Sequence, residues 1–291
     1  MVLPALLSGV TREDIQKQRK EGEAMNYDDL IYTEEDHIAT ITLNRPERMN
    51  ALTMKTHMEL AQAIEQAKND GEVRVLIITG AGRGFCSGDD VREIFLAGEG
   101  LATDARTKTL AYLEGAVEPG GGGGLLHLNK PTIAAVNGAA VGYGCDIALM
   151  CDMRIASEKA SFGEVFIRVG LIPDQGMLLL PRLVGLAKAY ELILTGNIID
   201  AREAERIGLV NRVVPHEQLQ AATRELANKL AKGPPLAIRL AKEGIRRGLS
   251  LPLESFLSFH GPALRFLAET EDHIEGARAF VEKREPVFRG K

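Results

Sequence analysis

From Asp36 onward the chain alternates between two hydrophobic periods. HIATITL (37–43) switches between apolar and polar residue by residue, the period of a strand covered on one face. LTMKTHMELAQAIEQAKND (52–70) instead places Leu60, Ala61, Ile64 and Ala67 on one helical stripe. VRVLIIT (73–79) is short, β-branched and apolar throughout, as a strand buried on both faces should be. TIAAVN (132–137) and MRIAS (153–157) predict further strands. This alternation runs to about residue 160 and predicts a layered α/β core.

Beyond Pro181 the pattern turns helical. AKAYELILTG, DAREAERIG, HEQLQAATRELANKLAKG and PPLAIRLAKEGIRRG each show helical spacing, with glycine or proline at their ends. The expected organisation is an N-terminal extension (1–25), an α/β core (26–200) and a helical C-terminal region (201–291) that acts as a lid or an oligomer surface. The extension is highly charged with little apolar periodicity, as in a solvated helix or a disordered arm. Five consecutive glycines, Gly120–Gly124, predict a mobile loop, placed where it can border a substrate entrance.

Composition narrows the function. A net charge of −5 argues against a nucleic-acid footprint, which is normally basic. The three cysteines, Cys86, Cys145 and Cys151, have no paired spacing and no histidine nearby, which predicts a reducing compartment and no metal site. The apolar start MVLPALL is too short for a membrane segment, so the cytoplasm is the expected location.

Two glycine-rich turns follow predicted strands. In TGAGRGFCSGDD the glycines give G-x-G-x-G, not the G-x-G-x-x-G that seats a dinucleotide pyrophosphate, and no Lys-Ser/Thr pair makes a P-loop. In NGAAVGYGCDIALMCD (137–152), Gly142 and Gly144 permit close backbone approach at the start of an apolar helix. Two such turns can aim their N–H groups at one oxygen, which is the architecture of an oxyanion hole. They can equally be tight turns with no ligand.

ITLNRPERMNAL (41–52), VLIITGAGRGFCSGDDV (75–91), AAVNGAAVGYGCDIALMCDMRIAS (134–157), AREAERIGLVNRVV (201–214) and EGARAFVEKREPVF (275–288) together resemble the crotonase, or enoyl-CoA hydratase/isomerase, superfamily. The resemblance runs from about Tyr27 to the C-terminus. It implies a spiral of ββα units followed by a helical region, assembled as a trimer or a dimer of trimers. It also implies an acyl-CoA thioester substrate with no other cofactor, and no nucleic-acid or membrane partner. The oxyanion donors would be the backbone N–H groups of Asp89 and Tyr143, the tyrosine standing where many members carry glycine. CoA contacts would come from Arg45, Arg48, Ala51, Ser87, Asp89 and Asp90, and across a subunit boundary from Phe280 and Lys283. The cluster Arg239, Lys242, Arg246 and Arg247 reads as a solvated basic face.

Family hydratases hold a water between two glutamates. Here the first position is Asp146 and the second is Phe166, which with Tyr143 would shape the acyl pocket. Glu164, two positions early, reads as a solvated or structural residue, able to substitute only if the segment is extended so that 164 and 166 share a side. Asp174 in GLIPDQG matches the acid of isomerase branches, including the ring-epoxide isomerases of phenylacetate breakdown. The expected reaction is therefore isomerisation, with Asp174 as base and Asp146 as its acid partner or orienting group. The alternatives are hydration by Asp146 with Asp174 or Glu164, thioester hydrolysis, and a non-catalytic CoA- or RNA-binding relative.

Overall fold

The computed structural model describes residues 27–96 and 124–291. The expected extension (1–25) and most of the glycine run fall outside the described residues. A six-stranded sheet has the order β1-β2-β3-β4-β6-β9, from Leu30–Glu35 (β1), Ile38–Leu43 (β2), Val75–Gly80 (β3), Thr132–Val136 (β4), Met153–Ser157 (β6) and Arg212–Val214 (β9). A small second sheet joins Ala139–Val141 (β5), Ser161–Gly163 (β7) and Ile199–Asp200 (β8). β1 and β2 form an antiparallel hairpin and the other pairs of the main sheet are parallel. The turn residues of that hairpin, Asp36 and His37, both have positive φ, as a two-residue hairpin turn requires.

The continuous apolar strand at 75–78 serves two cores. Val75 and Ile77 face one cluster with Ile38, Ile133, Ala135 and Ile155, while Leu76 and Ile78 face the other with Ile41, Ala134 and Val136. The first cluster is closed by the helix Leu219–Ala231, through Leu219, Ala227 and Ala231. The second takes Leu60, Ala63, Ile64 and Ala67 from α1 (Met54–Asn69), so Ala63 replaces the expected Ala61 on the buried stripe. The sheet draws its last strand from 212–214, so the core layer extends past residue 200. Short helices Gly124–His127 (α2) and Tyr143–Met150 (α3) lie against the larger core.

Downstream, α4 (Gly176–Val184), α5 (Leu186–Thr195) and α6 (Ala201–Arg206) lead to α7 (Leu219–Ala231), α8 (Pro235–Gly248), α9 (Leu253–Ala268) and α10 (Glu271–Glu282). α4 crosses Pro181, which the sequence reads as a helix boundary. Only half of the basic face of α8 is solvated as expected. Lys242 is held by Asp152 at 2.6 Å and by the Lys130 carbonyl at 2.8 Å, and Arg246 donates to the Leu128 carbonyl at 2.9 Å. Arg239 and Arg247 alone of the four remain exposed. Leu253, Leu257, Leu264, Phe266, Phe280 and Val281 on α9 and α10 leave large apolar side chains in the open. No described helix is long and apolar enough to cross a membrane.

Arg154 locks α3 in place. Its buried guanidinium donates to the carbonyls of Ala148, Cys151 and Leu209 at 3.2, 2.6 and 2.7 Å, so it satisfies the end of α3 from below. Arg154→Met strands those carbonyls. The expected loss is roughly 3 kcal/mol or more, read as a fall in the urea midpoint with an unchanged far-UV spectrum of the folded state.

Candidate active site

Two turns interlock at the C-terminal ends of β3 and β4. Cys86 bridges Ala140 in parallel, and the Val141 N–H donates to the Cys86 carbonyl at 3.0 Å. A Cβ on Gly144 would lie 2.2 Å from that carbonyl oxygen, and one on Gly88, which has φ +86, would lie 3.3 Å from the Tyr143 nitrogen. The two glycine turns therefore touch backbone to backbone. On the other side of the first turn, Leu52 bridges Asp89. The Leu52 N–H donates to the Gly88 carbonyl at 2.9 Å and its carbonyl accepts the Asp90 N–H at 2.8 Å, so the alternation of a strand turns the Asp89 N–H away from Leu52. Buried Asn50 and Asn137 hold the glycine loop from below, both donating to the Gly84 carbonyl, at 2.9 and 3.0 Å.

Beside these turns three carboxyl groups gather. Asp146, in the first turn of α3, is fully buried, and its Oδ2 accepts the Asp174 N–H at 3.2 Å. Burial and then the Asp174 carboxylate push Asp146 up to about 7, against the opposing pull of the Gly176, Asp174 and Gln175 N–H groups. Asp174 itself reaches the surface, yet its pKa is also raised, first by partial burial of the carboxyl and then by Asp89, with His57 opposing. Glu164 is the correction. It is 1% exposed, not solvated, and neither of its oxygens has a hydrogen-bond partner of ordinary geometry. Its carboxyl lies against Gly176, with Oε1 2.7 Å from where a Cβ on that residue would sit. Burial foremost, then the charge of Asp146, raises its pKa well above the carboxylate range, and the adjacent Cys145 thiol relieves this only in part. The extended geometry in which 164 and 166 share a side does not form, because a 3₁₀ turn begins at Val165. Phe166 is buried in the larger core cluster.

His57, on the first turns of α1, was not singled out by its sequence. Its Nε2 lies 2.8 Å from Asp89 Oδ1, and its ring meets the Tyr143 ring edge-on at a centroid distance of 5.0 Å. The Tyr143 side chain is thereby tucked in, 8% exposed. A helical stripe reports which residues face the core. It carries no signal for a partner 32 positions away.

The residues expected at CoA separate into two groups. Arg45 is largely buried. It donates to the Ala51 carbonyl at 2.6 Å and approaches Asp90, Asp29 and Glu93 at 3.8 to 3.9 Å, so its guanidinium braces the turn. Ser87 donates from its backbone to Met49 at 3.0 Å, and Ala51 is covered. Arg48 is exposed beside them, as the only cation of this group left facing solvent. Phe280, 86% exposed, and Lys283, the left-handed cap of α10, stand on the outer end of the last helix.

Comparison with known proteins agrees with this architecture. The model of the Enoyl-CoA hydratase/isomerase family matches residues 33–291. The chain is 38% identical over 266 residues to the short-chain-enoyl-CoA hydratase of Clostridium acetobutylicum, covering 89% of this chain and 97% of that protein. It is likewise 38% identical over 258 residues to the 1,2-epoxyphenylacetyl-CoA isomerase of Escherichia coli, covering 88% and 97%. The crystal structure of enoyl-CoA hydratase from Bacillus anthracis superimposes with a TM-score of 0.81 at 36% identity, covering 90% of this chain and all of that one. The fold, with its two interlocked turns and its helical C-terminal region, and the match over nearly the whole length make this chain a member of the enoyl-CoA hydratase/isomerase family of enzymes.

Proposed function

We propose that the protein isomerises an enoyl-CoA thioester, with Asp174 as base, Asp146 as acid partner, and the Asp89 and Tyr143 N–H groups binding the thioester oxygen. The observation that carries this reading is the pairing of one exposed and one buried carboxyl, joined by the Asp174 N–H to Asp146 Oδ2 contact of 3.2 Å. Isomerisation needs a base that is ionised and reachable and an acid that holds its proton near neutrality. Asp174 has the exposure for the first role. Asp146, pushed up to about 7, suits the second.

For a 3-enoyl thioester the step balances as follows. Asp174 takes a proton from C2, and the C–H electron pair becomes a C1=C2 bond while the carbonyl π pair moves to oxygen, where the two N–H groups stabilise the negative charge. The charge then returns to re-form the carbonyl as C4 receives a proton from Asp146, leaving the double bond between C2 and C3, and the proton held by Asp174 passes to Asp146 to restore both groups. Standard hydration holds water between two acids, and here Phe166 occupies the second of those positions. No cofactor other than the substrate's own CoA takes part. Arg48 suits its phosphates, and the exposed apolar side chains of α9 and α10 suit a trimer or dimer of trimers that brings Phe280 and Lys283 to a neighbouring site.

The direct test is to incubate the protein with 3-enoyl-CoA and with 2-enoyl-CoA in H₂¹⁸O. Double-bond migration without ¹⁸O uptake is expected, and water addition without migration would sink the isomerase reading in favour of hydration. Asp174→Asn is expected to lower kcat by about 10²–10⁴-fold, and unchanged turnover would remove it as the base. Activity should also fall with acid at a higher pH than an ordinary aspartate predicts, since the base form of Asp174 is lost below a raised pKa. Asp146→Asn carries a stability readout. Because the folded state raises the Asp146 pKa from 3.8 to about 7, Asp146 favours folding in acid and loses that contribution as pH rises through this window. Asp146→Asn should therefore flatten the decline in urea midpoint between about pH 4 and 7.

A further inference from the structure

His57 contacts the side chains of both residues whose backbone N–H groups line the anion hole in the reading above. It does so from a third element, α1, that contributes nothing else to the hole. Its hydrogen bond to Asp89, at 2.8 Å, restrains the first donor turn from the side opposite the Gly84 anchors. Its ring edge against Tyr143, 5.0 Å between centroids, restrains the second. Only about 15% of the side chain is exposed, so neither contact can be traded freely for water.

The charges around it are unbalanced. Asp89 comes from the donor turn and Asp174 from the segment before α4, while the buried carboxyls of Asp146 and Glu164 feel the charge of Asp174. Arg45 reaches the turn in space but is occupied by Asp29, Asp90, Glu93 and the Ala51 carbonyl.

We propose that His57 is a positioning residue of the anion hole: it ties the Asp89 and Tyr143 turns into one unit. The inference rests on the isomerase reading for the identity of the hole and the base. It adds a residue that touches neither substrate nor proton. A purely structural histidine would affect stability alone, whereas a positioning histidine affects the reaction at constant stability.

Two variants separate the parts. His57→Gln can keep a donor to Asp89 but carries no ring, and His57→Phe keeps the ring contact with Tyr143 but cannot bond Asp89. Both are compared with wild type as the full-length protein, after circular dichroism and size-exclusion chromatography show the same fold and assembly. His57→Phe is expected to lower kcat roughly 10- to 100-fold with KM within about 3-fold, less than the loss of a whole oxyanion donor. His57→Gln is expected to recover most of kcat. A second readout needs no proton transfer by Asp174: binding of acetoacetyl-CoA, followed by the absorbance of its enolate. The enolate signal should weaken in His57→Phe and persist in Asp174→Asn. Wild-type kcat and enolate signal in both His57 variants would overturn the proposal, as would equal losses of kcat in both. If Asp174→Asn is inactive while the His57 variants match wild type, the isomerase reading stands and only the role of His57 falls. If Asp174→Asn keeps full turnover while His57→Phe loses the enolate signal, the base assignment falls and the role of His57 in the hole stands.

Discussion

The carbonyl of Cys86 accepts the Val141 N–H at 3.0 Å while leaving no room for a side chain on Gly144. This contact zips together two turns that belong to different strands of the main sheet, and the site is assembled from it. The first turn can present Asp89 only because Gly88 accepts a positive φ beside the Tyr143 nitrogen. The second can start α3 at Tyr143 only because Gly142 and Gly144 let its backbone pass the first. The parallel strands set the spacing, two buried asparagines supply the polar groups that a tight loop cannot bond internally, and Arg154 fixes the far end of α3. A change that separates the turns moves both N–H groups and the Asp146 carboxyl, since Asp89 follows Cys86 in the first turn and Asp146 lies in the first turn of the helix that follows Val141.

Charge is the second constraint. Asp146 and Glu164 are buried side by side with no cation against them among the described residues, and burial favours their protonated forms. Backbone N–H groups from 174 to 176 go to Asp146, and Glu164 is left with unpartnered oxygens against Gly176. Hydrogen bonds to the charged form lower a pKa, so Asp146 is the more acidic of the buried two and Glu164 the more firmly neutral. Asp174, exposed at the outer end of the same group, is within the influence of Asp89 and His57. Exposure thus grades the carboxyls from a neutral interior to an ionisable surface.

Much of this was legible in the residues themselves. A strand read from TIAAVN or MRIAS survives in the structure because β-branched apolar runs bounded by turns have few other ways to bury themselves. VLII shows why a continuous run differs from an alternating one, since its two faces enter two separate cores. Strands β5, β7 and β8 are two or three residues long, too short for any periodicity, and exist because partners from elsewhere complete them. α4 was hidden by Pro181, whose lost N–H leaves one missing bond that the rest of the helix tolerates. The basic residues of α8 look solvated in sequence because charge normally is. Their carbonyl and Asp152 partners lie more than eighty positions away.

The sequence by itself determined the layered α/β order, the helical C-terminal region, the two glycine turns and the acids at 146 and 174. Each of these depends on local spacing: hydrophobic period, conformational freedom of glycine, or the distance along the chain from a turn to the next polar residue. Tertiary structure alone decided that Glu164 is buried and neutral, that Arg45 braces a turn, and that His57 bridges Asp89 and Tyr143. Those outcomes depend on which side chains meet across elements and on how much water is left between them. A one-dimensional pattern does not encode that, because burial and charge balance are properties of the volume in which distant residues are packed.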